Sequence, residues 1–228
     1  MNDLFDTAIN FNDLVLRNIP AKDPKYHVFD DLSDNPEDWD QAEKICSSSD
    51  EIQYQAIENV FNRKSKFPSR FSDGSFPVWY GALELKTTFY ETHFHWRRLL
   101  TDAGFLNFSH TKNPIYAIRK VFEVNCKSIL IDIRSKLKKY AFILDPDIRH
   151  YGKTQEIGLK LSQEIPGLMT LSARVSPGIN IVIFNKNILH SPHHYDDFLY
   201  VINPLEPNKT IIRRKGSSAI TDHVEIQT

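Results

Sequence analysis

Cysteine is nearly missing from this chain. Only Cys46 and Cys126 occur, and their separation fits neither a metal-ligand pair nor a redox pair. That excludes a disulfide framework and a cysteine-built metal site, and both thiols are expected as small buried side chains in a reduced, cytoplasmic setting. No apolar run reaches the roughly 18 residues of a membrane span. The opening MNDLFDTAINFNDL has no basic n-region and no long apolar block, so it is not expected to act as a secretory signal. An excess of one charge is missing too. The 28 Lys and Arg face 29 Asp and Glu, for a formal net charge of −1. No global attraction to nucleic acid follows, and neither nucleic acid nor membrane is an expected direct partner. Only the local cluster Arg134, Lys136, Lys138 and Lys139 keeps a nucleic-acid-cleaving alternative open.

Several motifs are absent as well. Neither GxGxxG nor GxxxxGK[ST] occurs, so no Rossmann or P-loop phosphate site is indicated. No GxSxG elbow and no HExxH are present. His93 and His95 are two apart on an expected helix, which points them to different sides and makes a poor metal pair. HSPHHYDD, 190–197, reads as a polar loop, because no cysteine or spaced acid completes a ligand set. No metal is expected.

What is present supports a real core: 228 residues, 41% apolar and 12% aromatic. With no repeat, low-complexity block or linker, the chain reads as one domain, 1–228. Residues 1–64 are expected to form a mainly helical N-terminal part. Within it, 1–30 is mixed, with a short strand at 26–29. An acidic stretch, 30–40, holds a helix start at Asn35-Pro36-Glu37-Asp38. A second helix is expected over 51–62, burying Ile52, Ala56, Val60 and Phe61, before the basic run 63–66. Later strands are expected at 115–125, 128–133, 198–202 and 210–214, and a helix at 154–164. Strands at 169–175 and 180–184 would pair around Ser176-Pro177-Gly178, with Ser172 and Arg174 on one face of the first. The last dozen residues are expected to fray. Strands outnumber what a doubly wound pattern needs and helices cluster early. The fold class is therefore α+β, a mixed, mostly antiparallel sheet flanked by helices.

The most informative stretch is 70–98, RFSDGSFPVWYGALELKTTFYETHFHWRR. A turn leads to a short apolar strand over 76–82, where Pro77 limits the start. Leu85, Phe89, Thr92, Trp96 and Leu99 then recur at steps of four and three, one face of an α-helix. Arg70 falls in the loop, Tyr80 near the strand end and Glu91 mid-helix. At about 100° per residue, Glu91 sits roughly 120° from the centre of the apolar stripe, at the border of buried and wet. By pattern alone the plainer reading is a surface arginine, a core tyrosine and a glutamate paired with His95.

The ordered set is similar to the RES domain family, named for its Arg, Glu and Ser. The resemblance rests on Arg70-Phe71-Ser72, Tyr80-x-Ala82, Thr88 and Glu91, then Ser172-x-Arg174 ahead of Asn180 and Val182-Ile183-Phe184. It covers about 65–185. The chain departs from the family's Gly-Gly-Arg-Trp-Asn version by reading Pro68-Ser69-Arg70-Phe71-Ser72, a difference that bears on how this loop would grip a dinucleotide. The resemblance implies an ADP-ribosyltransferase-like fold and a toxin paired with an Xre-type antitoxin. It implies an enzyme that consumes NAD⁺ as substrate, with no other cofactor, by hydrolysis or phosphorolysis of the nicotinamide–ribose bond. Transfer of ADP-ribose to a protein, or a nucleotide-binding module without turnover, are the alternatives. Self-association is left open. The implied site is Glu91, Tyr80 and Arg70 as catalytic residues, with Arg70, Tyr80, Ser172 and Arg174 as substrate contacts. The residue types suit that chemistry. Breaking the bond puts positive charge on the ribose, which a carboxylate stabilises. A guanidinium matches a pyrophosphate. Tyr80 could stack on nicotinamide or bond the ribose, and Ser172 has no paired histidine to make it a covalent nucleophile.

Overall fold

A computed structural model describes residues 2–21, 49–62, 67–106, 113–216 and 223–227. The expected strand at 26–29, the acidic helix start near Asn35, Cys46 and the basic run 63–66 lie outside these residues.

The fold is α+β, and the described residues form one mixed sheet of eight strands and three helices. The strands are β1 Ala8–Pro20, β2 Trp79–Ala82, β3 Ile115–Asp132, β4 Gly167–Leu171, β5 Ile179–Ile183, β6 Leu189–Ile202, β7 Lys209–Arg214 and β8 His223–Gln227. Helix α1 spans 49–62, where α-helical ends Ser49–Gln53 and Asn59–Asn62 flank a π-helical turn, Tyr54–Glu58. Helices α2 and α3 are Leu85–Asp102 and Gly152–Glu164.

The strand order is β1-β2-β5-β4-β3-β6-β7-β8, and β1 also pairs with β3. The first five strands thus close a circuit of bonded neighbours, from which β6, β7 and β8 extend. All pairings are antiparallel except β3–β4, the one joined through a crossover helix, α3. Each helix covers its own apolar cluster. Ala56 and Ile57 of α1 pack with Val15, Trp79, Phe122 and Ile181. Ile157 and Leu161 of α3 pack with Phe71, Ile143 and Leu168. Phe89 of α2 packs with Phe198, Tyr200 and Ile212.

Several sequence expectations are corrected. Within the N-terminal part, 49–62 is helical as expected, while 8–20 is one long strand, in register with β3 from Ala8↔Ile131 to Pro20↔Arg119. Its apolar residues lack strict alternation since Leu14 is 40% exposed, which hid the strand. The two runs 115–125 and 128–133 are one strand, β3. HSPHHYDD is a strand and not a loop. It belongs to β6, whose register against β3 shifts twice, and each shift breaks the period of two. Of the last dozen residues, the described 223–227 form a strand and not a frayed end. β8 pairs with β7 and buries Ile226. Strand β4 stops at Leu171, so Ser172 and Arg174 lie in the loop to β5 instead of sharing a strand face. The buried face of α2 runs through Thr88, Phe89, His93 and Leu100, whereas Leu99 is 65% exposed. The helix is rotated from the expected stripe: Leu99 lines a cleft, and Trp96 lines it while also packing against the Phe89–Tyr200 cluster.

Candidate functional site

That cleft has a volume of about 720 Å³, within the ordinary range of ligand pockets, roughly 300–1,000 Å³. Its floor is β1 and β2, and α2 and the 67–71 loop form its walls. Of the ionised side chains lining it, three are arginines, Arg17, Arg70 and Arg119, and one is a carboxylate, Glu91. The chain as a whole is nearly neutral, so this local excess of positive charge favours an anionic ligand.

Glu91 is placed by the way α2 follows β2. Strand β2 pairs with β5, Ala82 opposite Asn180, and β5 pairs with β4, Leu171 opposite Ile179. The helix turns back over these strand ends and brings Glu91 against residues 80 and more positions distant. Asn180 Nδ2 donates to Glu91 Oε1 at 2.6 Å, and Ser172 Oγ donates to the same oxygen at 2.7 Å. Ser172 Oγ in turn accepts from the backbone N–H groups of Arg174 (3.0 Å) and Val175 (3.3 Å). Its orientation is therefore fixed from both sides. Glu91 Oε2 has no hydrogen-bond partner among the described residues, and the side chain lines the cleft. One oxygen is anchored and the other is presented. No pair with His95 forms among the described residues.

Tyr80 organises the Arg70 loop. Its hydroxyl accepts from Phe71 N at 3.0 Å and lies 2.9 Å from Ser69 Oγ. Burial pushes its phenol up to about 12, so it stays protonated near neutrality. Its ring remains a wall of the cleft. Arg70 is held on the other side of the loop. Nη1 donates to the carbonyls of Ile143 (2.6 Å) and Asp145 (2.9 Å), and Nη2 donates to Tyr151 Oη (3.0 Å). Helix α3 clamps this loop. Gln155 Nε2 reaches the carbonyls of Ser69 and Ser72. Gly158 passes so close that a Cβ there would lie 1.9 Å from Phe71 O.

The structure thus brings Arg70, Tyr80 and Glu91 to one cleft. Ser172 meets it through Glu91. Arg174 lies elsewhere, lining a smaller cavity of about 360 Å³ with Tyr90 and Phe94. Arg174 Nη2 donates to Tyr151 Oη (2.8 Å), Nη1 donates to Pro146 O (3.0 Å), and the guanidinium carbon lies 3.3 Å from the Phe94 ring centroid. Two guanidiniums, Arg70 and Arg174, therefore share one phenol oxygen. Tyr151 gave no sign of this in the sequence, since its partners are 81 and 23 positions away. Arg119 was also missed, as one of several polar residues in a strand that mixes apolar and polar positions. Asn180 had a signal, its fixed place ahead of the Val182-Ile183 strand.

Among the described residues there is no group of three or more His, Cys, Asp and Glu able to hold a metal ion, and no helix long and apolar enough to cross a membrane. A family model described as the RES domain matches residues 44–203, well over half the chain. No curated protein matches.

Proposed function

Because the chain belongs to the RES domain family, we propose that it is an NAD⁺-consuming toxin of a toxin–antitoxin pair, cleaving the nicotinamide–ribose bond in the arginine-lined cleft. The observation that carries this reading is Glu91, with Oε1 held by Ser172 and Asn180 and Oε2 open to the cleft. In the reaction the bond's electron pair leaves with nicotinamide and the ribose becomes oxocarbenium-like. Glu91 Oε2 accepts a hydrogen bond from a ribose hydroxyl and stabilises that charge, or orients the incoming acceptor. The anchored oxygen keeps the carboxylate from swinging away as charge develops. Ser172 and Asn180 act as positioning residues. The Tyr80 ring offers a surface for nicotinamide or ribose. Arg70 contributes positive potential toward the pyrophosphate, and Arg174 braces it through Tyr151.

The test is nicotinamide release from NAD⁺ by purified protein. Phosphate dependence identifies phosphorolysis and phosphate independence hydrolysis, while label on a protein band identifies ADP-ribosyl transfer. No release under any of these conditions overturns the reading. A small helix-turn-helix reading frame beside the gene, whose product blocks the activity, would support the toxin role.

A further inference from the structure

Among the described residues Arg119 is a cation without a counterion. It lies in the first third of β3, between β1 and β6, and lines the cleft. Nε donates to Asn18 Oδ1 at 3.1 Å and Nη2 to Asn18 O at 3.4 Å. No carboxylate among the described residues pairs with it, and Nη1 has no protein acceptor among them. Burial pushes its pKa down to about 10, with the nearby Tyr200 phenol opposing the shift. Yet the guanidinium is held in place. Asn18 Nδ2 donates to Tyr200 Oη (3.1 Å) and lies 3.4 Å from Thr88 Oγ1, and Tyr200 Oη meets Thr92 Oγ1 at 2.8 Å. A chain of neutral groups from β1, α2 and β6 thus fixes the guanidinium without neutralising it.

Arg70 commits three N–H groups to protein acceptors, whereas Arg119 commits two and keeps both N–H groups of Nη1. A guanidinium with an open edge in a cleft matches the paired oxygens of a phosphoryl group. We propose that Arg119 is an anion-binding residue of the cleft and takes a phosphoryl group. The group is either free inorganic phosphate or the pyrophosphate of a dinucleotide. The assignment rests on the nucleotide reading of the cleft but not on turnover.

Calorimetry on the full chain tests it, with inorganic phosphate alone and ADP alone as probes. Arg119→Met should weaken whichever probe binds by about tenfold or more, and Arg119→Lys, which keeps the charge but loses the fork, should fall between. A phosphate signal lost in Arg119→Met assigns free phosphate. An ADP signal lost while phosphate is silent in the unaltered chain assigns the dinucleotide's pyrophosphate. Folded Arg119→Met with unchanged affinity for both probes overturns the proposal, as does an unaltered chain that binds neither at millimolar concentration. If Arg119→Met does not fold, Asn18→Asp serves instead. It sets a carboxylate against the guanidinium and should weaken binding similarly, and unchanged affinity in its folded form also overturns the proposal. Nicotinamide release is followed in parallel. Arg119-dependent ADP binding without any release leaves this site standing and overturns the NAD⁺-consuming reading. Release with affinity indifferent to Arg119 does the reverse.

Discussion

The role proposed for Glu91 rests on an asymmetry: among the described residues, two hydrogen bonds fall on one of its oxygens and none on the other. Glu91→Gln keeps the size of the side chain but loses the charge that faces the ribose. NAD⁺ turnover is expected to fall by about a hundredfold or more, with the circular dichroism unchanged. Unchanged turnover would remove Glu91 from the chemistry. Ser172→Ala removes one of the two anchors, a change of about 1 kcal/mol, so kcat/KM should drop roughly tenfold or less. Asn180→Ala should do the same, and the double variant should cost less than the product of the two, since both act on one oxygen. A measured product of the separate effects would show that the two anchors are independent. Tyr80, with its phenol up at about 12, should contribute no limb to a pH–rate profile around neutrality.

At the scale of elements, two contacts hold the walls of the cleft. The first is α3 against the Arg70 loop. Gly158→Ala places a methyl in the space of the Phe71 carbonyl, a backbone atom that no side-chain rotation can move. A loss of about 1–3 kcal/mol in stability is expected, together with lower turnover as Arg70 and Tyr80 shift. A variant as stable as the parent would mean that the loop yields freely. The second contact is α2 against β7, where His93 Nε2 lies 3.0 Å from Thr210 Oγ1. Burial, helped by Arg97, pushes the His93 pKa down to about 4. The unfolded chain takes up this proton near 6.5 and the folded chain only near 4. Stability is therefore full above about 6.5 and falls as the pH drops toward 4, by up to about 3 kcal/mol from this group. Thermal melts of the parent and of His93→Gln between pH 7 and 4.5 should show a shallower pH dependence in the variant.

Across the whole molecule, the closed circuit of five strands carries the cleft, and β6, β7 and β8 back the helix that bears Glu91. The last strand matters to stability although it is far from the chemistry. Ile226 is 2% exposed in the cluster with Phe89 and Tyr200. Ile226→Ala should cost about 2–5 kcal/mol in denaturant unfolding. A cost near zero would mean that β8 is not part of the cooperative unit. A ligand that fills the cleft should raise the melting temperature in proportion to its binding, because it engages only the folded state.

Local chemistry made part of this readable in advance. Helix α2, β2 after Pro77, α3 and the hairpin partner β5 are set by periodicity and by turn residues close in sequence. Arg70, Tyr80 and Glu91 lie within that local unit at fixed spacing, but by pattern alone they read as ordinary surface and core residues, and only the ordered set with the Ser172 segment pointed to one cleft. Strand β1 was not, since its identity comes from pairing with β3, more than 100 positions away. The rotation of α2 was set by which of its apolar residues face the cleft, a choice periodicity cannot make. The same holds for Ser172, whose hydroxyl turns to Glu91, for Tyr151 between two guanidiniums, and for Arg119 without an anion. Residue type and spacing determine which chemistry is on offer. Which atoms remain unsatisfied, and so face a ligand, is decided only when distant strands close and use up the other hydrogen bonds.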